Sequence, residues 1–352
     1  MFDPQLILTP VWNTDKVIGE SVLMHRTSRG CYAPLLFTPL EILDVTDLSG
    51  NTHYQRNQDW EYQDGMLHLL PGSRIDAITD DELFPQVGEE GKSFPIPGGY
   101  SLFESGSGLV TRQIQVTYTC VPGQWSGIRP QCARQQLPRT FAALKSKQPL
   151  TLVLNGDSIS ANAQVSGSLG IPPYQPGYGD MLVQALTAHY HCPIRFINTS
   201  VGGKETNWAI ENIDANINDH HPELLIIAFG MNDGGKTPEE FEDRIRRMIC
   251  LVREKNPCCE IILVATSLPN PILIDPRAKF WGNQEFFLER LNIIAADSAF
   301  GGGIAVADIT NMHRYLLSRK RFLDLTSNNV NHPNDFFYRC YAQFLTGMLT
   351  ED

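Results

Sequence analysis

No stretch of this chain approaches the roughly 18 consecutive apolar residues that a membrane-spanning helix needs. Its opening residues, Met1 to Pro10, contain neither a basic segment nor a long apolar one, so no membrane association and no secretory leader are expected. Such a start points to the cytoplasm for a full-length chain, and to secretion for a chain already trimmed of a leader. Positive charge is also scarce. The 28 Lys and Arg stand against 39 Asp and Glu, for a net charge of −11, which speaks against nucleic acid or an anionic membrane as the main partner. The eight cysteines contain no C-x-x-C pair, so neither a disulfide framework nor a zinc site is indicated. Free thiols are expected, with Cys120 and Cys132 the pair that neighbouring strands could bridge. His189, His191, His220 and His221 lack metal-ligand partners at suitable spacing. There is no G-x-S-x-G elbow, no phosphate loop and no dinucleotide fingerprint. No metal and no cofactor are expected.

What is present is a chain of 352 residues, 42% hydrophobic and 19% charged, long enough for two domains with a sizeable core. Residues 1–135 read as a small all-β sandwich, jelly-roll-like. Short apolar or alternating segments (Ser21–Met24, Leu35–Phe37, Met66–Leu70, Gln113–Tyr118) are separated by turn residues such as Thr27–Gly30, Pro71–Gly72 and Pro97–Gly99. The aromatics Trp12, Tyr54, Trp60, Tyr62, Tyr100 and Trp125 are expected in its core, the alternative being flat platforms for sugar rings. Residues 136–149 form a connector with a helix over Leu137–Lys145, where Pro138 suits the first helical position. From residue 150 to 352 strands and helices alternate, with helices read over Trp208–Asn218, Pro238–Lys255 and Asp335–Leu349 among others, which predicts a flavodoxin-like doubly wound α/β fold with a mostly parallel sheet.

The first strand of that second unit, Thr151–Leu154, runs into Asn155-Gly156-Asp157-Ser158-Ile159-Ser160. Glycine at 156 is expected to permit a sharp turn, with Ser158 standing just past the carboxyl end of the strand. The next two strands end in Ser200-Val201-Gly202-Gly203 and Gly230-Met231-Asn232-Asp233. Carboxyl ends of neighbouring parallel strands converge on one edge, where ligands bind. A serine, an amide freed by glycine and an asparagine side chain are therefore placed together. A late loop, Asn328 to Asp335, adds His332 as a candidate base on the same edge. Asp157 and Asp233 read as turn-stabilising residues, and Lys204, Glu205 and Trp208 as candidate pocket lining.

These blocks resemble the SGNH (GDSL-type) hydrolases over about residues 150 to 350. Gly156-Asp157-Ser158 matches the first block, Asn198 to Gly203 the second, Gly230 to Asp233 the third, and His332-Pro333 the last. The resemblance implies Ser158 as nucleophile, His332 as base, and the Gly203 amide (Gly202 as fallback) with the Asn232 side chain as oxyanion donors. It also implies a serine esterase acting on a small-molecule or oligosaccharide ester. Short-chain, acetyl esters of carbohydrates are the first expectation, and longer acyl chains handled by a thioesterase or lysophospholipase the second. A non-catalytic carbohydrate-binding protein on a decayed hydrolase fold is the reading of a different class.

One position departs from the family pattern. An aspartate usually lies three residues before the histidine, and Asn329 stands there instead. Three arrangements stay open: a Ser–His dyad with Asn329 or a backbone carbonyl as orienter, a substitute acid at Asp324 or Asp335, or a weak or inactive site. The dyad, with Asn329 or a backbone carbonyl as orienter, is the expectation carried forward.

Overall fold

The computed structural model describes residues 3, 5–273 and 282–351. Five parallel strands lie side by side in the order Ile194–Asn198, Leu150–Gly156, Leu224–Ala228, Glu260–Ala265 and Ile304–Asp308. In chain order this is 2-1-3-4-5, the doubly wound arrangement expected, with the direction of winding reversing between the first and third strands. Side chains alternate between the faces, as the period of two requires. Leu152, Leu154, Ile226 and Val264 pack on one side. Val153, Leu225, Ile227 and Leu263 pack on the other, against the helices Pro238–Lys255 and Gln284–Ala296. Leu224–Ala228 and Glu260–Ala265 are buried throughout, hence their unbroken apolar character.

The N-terminal region is β-rich, as read from the sequence. Lys16–Leu23, Gln113–Cys120 and Pro39–Asp47 form an antiparallel sheet with the middle strand central. A second sheet is built from short strands between residues 25 and 79, and Ser93–Ile96 pairs with Gly99–Leu102 as a hairpin. Leu35–Phe37 is not a strand. Its residues are buried, but the Leu36 and Phe37 amides donate to side chains, Glu20 at 2.8 Å and Tyr118 at 3.1 Å, instead of to a neighbouring strand. Trp12, Trp60 and Trp125 are buried, so these rings serve the core. All eight cysteines are free thiols, Cys120 and Cys132 included.

Helix Asp335–Leu349 joins the two regions. Nearly every residue in it is buried, which fits a helix covered on all sides. On one side it packs against helix Tyr178–Tyr190, through Tyr338 and Tyr341 on Tyr178. On the other it meets the N-terminal region. Phe344 lies against Trp12 at 6.1 Å, Arg339 donates to the Gly19 carbonyl, and Asn334 donates to Ser21 at 3.0 Å. A single apolar cluster therefore runs from Val22, Val116 and Tyr118 through Leu345 to Leu152 and Leu154. A fully buried ion pair, Glu20 with Lys320, crosses the same seam, with Tyr118 donating to Glu20 at 2.6 Å. Such a pair adds little net stability but fixes relative placement, since each charge left alone would be costly. The domain limits 1–135, 136–149 and 150–352 remain our proposal for dividing the chain around this shared core. No helix among the described residues is long and apolar enough to cross a membrane.

Candidate active site

The site sits at the carboxyl edge of the parallel sheet, where the winding reverses. Gly156 ends the first strand opposite Ala228 of the third. A Cβ at 156 would lie 2.5 Å from the Ala228 carbonyl oxygen and 2.5 Å from Ser160 Oγ. Glycine is required here by close approach, and not by the turn freedom expected from the sequence. Past it, Asp157 accepts from the amides of Ile159, at 3.0 Å, and Met231. This ties the serine turn to the loop after the third strand. Tyr338, from the seam helix, donates to the Ile159 and Ala163 carbonyls at 3.1 and 2.9 Å and holds the far side of the turn. Ser158 emerges half-buried.

The structure brings His332 to Ser158. His332 Nε2 is 3.0 Å from Ser158 Oγ. The histidine loop owes its shape to Asn328, whose Oδ1 accepts from the amides of Val330, Asn331 and His332 at 2.9, 2.9 and 3.0 Å. The Thr326 hydroxyl and the Ser327 amide close the loop by donating to the His332 carbonyl at 3.0 and 2.9 Å. Burial, with no acid among the described residues at the ring, pushes the imidazole down to about 4, so it is neutral and able to accept a proton across the physiological range.

None of the three side chains expected as orienters, Asn329, Asp324 and Asp335, reaches the imidazole. Asn329 has a left-handed backbone, φ +64°. Its side-chain amide donates to Ser101 Oγ at 3.0 Å and to the Leu102 carbonyl at 3.1 Å, and its oxygens accept from Asn270 Nδ2 at 2.8 and 3.0 Å. It is a latch onto the N-terminal region. Asp324 is buried against Arg321 and the Leu23 amide. Asp335 accepts from the Ser166 amide and hydroxyl at 2.9 and 2.5 Å. The atom that does meet His332 Nδ1, at 2.7 Å, is Gln164 Oε1. Nothing local in Ala161-Asn162-Ala163-Gln164 signals this. The cue is spatial, in the pairing of Gln164 with residues about 60 positions earlier in the chain.

Gly202 and Gly203 are exposed. A Cβ at 202 would lie 3.7 Å from Ser158 Cβ, and Gly203 has φ +73°, a conformation that favours glycine. The Val201 amide donates to the Gly156 carbonyl at 3.1 Å and fastens this loop to the first strand. Asn232 Nδ2 donates to the Lys204 carbonyl at 3.0 Å, which uses one of its two N–H groups and leaves the second for a ligand. Asp233 does not cap its own turn as expected. Its carboxylate accepts from the Thr206 amide and hydroxyl at 3.0 and 2.5 Å, securing the start of helix Thr206–Glu211. Lys204 Nζ rests 5.6 Å above the Trp208 ring.

Burial raises Asp157 from 3.8 to about 7. A carboxyl raised on folding favours the folded state fully only below its unfolded value, and that advantage is lost as pH climbs through the folded value. Asp157→Asn, which mimics the protonated acid, is therefore expected to raise the melting temperature. The gain should grow between pH 4 and 7 and level off above, as read by thermal melts across that range. A gain independent of pH would show that Asp157 is not titrating on folding.

Comparison with known proteins follows the same geography. The profile of the GDSL-like lipase/acylhydrolase family matches residues 154–340, more than half of the chain. An arylesterase of Vibrio mimicus is 26% identical over 120 residues, which is 34% of this chain and 55% of that protein. Thioesterase 1/protease 1/lysophospholipase L1 of Escherichia coli K12 is 26% identical over 141 residues, 39% of this chain and 62% of that protein. The chain thus spans little more than half the length of these curated relatives. Among solved structures, a two-domain esterase (CEX) active on acetylated mannans is similar with a TM-score of 0.49 and 16% identity, covering 64% of this chain and 56% of that one. The matched residues begin on the strand that delivers Ser158 and extend past the loop that carries His332, and on this ground the chain belongs to the GDSL-like lipase/acylhydrolase family.

Proposed function

We propose that the protein is a serine ester hydrolase, with Ser158 as nucleophile and His332 as general base. The observation that carries this is the 3.0 Å approach of a neutral imidazole nitrogen to the serine hydroxyl. As Ser158 Oγ attacks the ester carbonyl carbon, its proton passes to His332 Nε2, and the carbonyl π electrons move to oxygen. In this reading the oxyanion so formed accepts from the Ser158 and Gly203 amides and from the unused N–H of Asn232. Collapse breaks the bond to the alcohol oxygen, which leaves with the proton from His332. Water, deprotonated by the same imidazole, then releases the acyl group from Ser158.

The substrate we favour is a short acyl ester, an acetyl group on a carbohydrate hydroxyl. Support comes from the composition of the surroundings. Asn232 is bonded to the Lys204 carbonyl, and exposed Gly202 lies next to Ser158, a setting suited to a small acyl group and a hydroxyl-rich alcohol. The non-catalytic reading loses its motive, since Asn329 is engaged elsewhere and the imidazole has another partner. The test compares p-nitrophenyl acetate with p-nitrophenyl octanoate. Acetate is expected to give a kcat/KM at least about tenfold higher if the site is shaped for a small acyl group, because the added methylenes of octanoate would then find no apolar surface to bury against. A preference for octanoate would transfer the reading to the thioesterase or lysophospholipase class, and release from neither ester would remove the hydrolase reading.

A further inference from the structure

We propose that Gln164 is the positioning residue of His332, and that segment Ser101–Gly106 of the N-terminal region holds it there. This rests on the reading of Ser158 and His332 given above and adds the member that the sequence leaves unassigned.

The hydrogen bonds of Gln164 admit one orientation. Its Nε2 donates to the Glu104 carbonyl at 2.9 Å and to the Gly106 carbonyl at 2.8 Å. Carbonyl oxygens only accept, so the nitrogen of the amide must face them and the oxygen must face the histidine. Oε1 in turn only accepts, so the proton of the neutral imidazole must sit on Nδ1. The lone pair of Nε2 is then directed at Ser158 Oγ, as a base requires. In effect two backbone carbonyls of the N-terminal region select the tautomer of His332. Gln164 itself is buried, and its backbone is left-handed at φ +59°.

The same segment grips the histidine loop independently. Ser101 Oγ and the Leu102 carbonyl accept from Asn329, and the Glu104 amide donates to the Asn328 carbonyl at 3.2 Å. Glu104 Oε1 accepts from the Gly106 amide at 2.7 Å, closing the segment on itself. One short stretch thus holds both the residue that carries the base and the residue that orients it. Asn329, where the family has an acid, is released for this latch because orientation is supplied from Gln164.

The substitution of an amide for a carboxylate has a chemical signature. A carboxylate at Nδ1 would stabilise the imidazolium; an amide oxygen does so only as a dipole. Among the described residues, the acids on the neighbouring segments are engaged elsewhere: Glu104 with the Gly106 amide, Asp157 with Ile159 and Met231, Asp335 with Ser166, and Asp324 with Arg321. The base should therefore stay neutral to lower pH than a histidine paired with an acid.

The experiment uses the full chain, p-nitrophenyl acetate and ¹⁵N NMR of the His332 ring, on the wild type, Gln164→Met, Gln164→Glu and Glu104→Ala. In the wild type the ring should show a single tautomer protonated at Nδ1. Gln164→Met, similar in length but unable to accept from the ring, should mix the tautomers. It should lower kcat by about 10²- to 10⁴-fold, with KM nearly unchanged, as expected when a base loses its orienter. Gln164→Glu should move the acid limb of kcat/KM upward by about one unit or more, because an opposite charge now faces the ring. Glu104→Ala, which loosens the Gly106 carbonyl, should give a milder version of the methionine phenotype, about tenfold in kcat. Thermal melts separate these effects from loss of fold, and the glutamate variant provides an independent reading should the methionine variant not fold. An unchanged tautomer and kcat in Gln164→Met, or an acid limb that Gln164→Glu leaves in place, would overturn the proposal while leaving Ser158-dependent hydrolysis intact. If the wild type hydrolyses neither ester, the NMR tautomer alone decides: Nδ1–H lost in Gln164→Met upholds the positioning, and any other pattern overturns it.

Discussion

Ser158→Ala is expected to lower kcat for p-nitrophenyl acetate by about 10⁵- to 10⁶-fold, the scale on which removal of a serine nucleophile is felt when the rest of its site remains. The residual rate would come from the oxyanion donors and from binding. The loss should fall on kcat, because the hydroxyl forms its bond to substrate only as the reaction proceeds. The fold should not suffer. Ser158 is half-buried, and the turn around it is held by Asp157 and Tyr338. The melting temperature should therefore stay close to that of the wild type. Undiminished release of p-nitrophenol by a pure, folded variant would place the nucleophile elsewhere.

His332→Ala is expected to cost about as much, and the double variant with Ser158→Ala no more than either alone. Groups that act as one unit are grossly non-additive, since a serine without its base and a base without its serine leave the same residue of catalysis. The loop carrying position 332 should keep its shape in the alanine variant. Asn328 holds the backbone amides, and Thr326 and Ser327 hold the carbonyl, all independently of the ring. Steady-state rates of the three variants provide the check. Losses that multiply in the double variant would mean that Ser158 and His332 contribute separately, and the coupled mechanism would be wrong.

Elements with strong local signals were legible in the sequence. Helices Pro238–Lys255 and Asp335–Leu349 have the limits read from it, the first with a capping box between Thr237 and Glu240 and Pro238 in its first turn. Signals that depend on competition between side chain and backbone were not. The single helix expected over Trp208–Asn218 is broken into Thr206–Glu211, Ile213–Asn216 and a short 3₁₀ turn, and at the break Asn212 folds its side chain back onto the Trp208 carbonyl. Helix Ile309–Arg319 has no such local signal, because it follows the last parallel strand without a loop. Asp308 both ends the strand and caps the helix by accepting from the Asn311 amide at 2.8 Å. In the site, residues at strand ends could be placed together from topology alone. Gln164 could not, since its role depends on carbonyls of a region whose docking no local pattern encodes.

The seam helix Asp335–Leu349 also sets an order of events during synthesis. The strands Lys16–Leu23 and Gln113–Cys120 leave the ribosome long before the helix that covers Val22, Val116 and Tyr118 through Leu345 and its neighbours. Until it arrives, their inward faces have no lasting cover, and the partner of Glu20, Lys320, is likewise unmade. The nascent N-terminal region is thus expected to expose an adhesive sheet that awaits a distant segment, the kind of intermediate that draws chaperones or aggregates. Closure of this region comes late in synthesis, because the residues that seal it follow directly after His332.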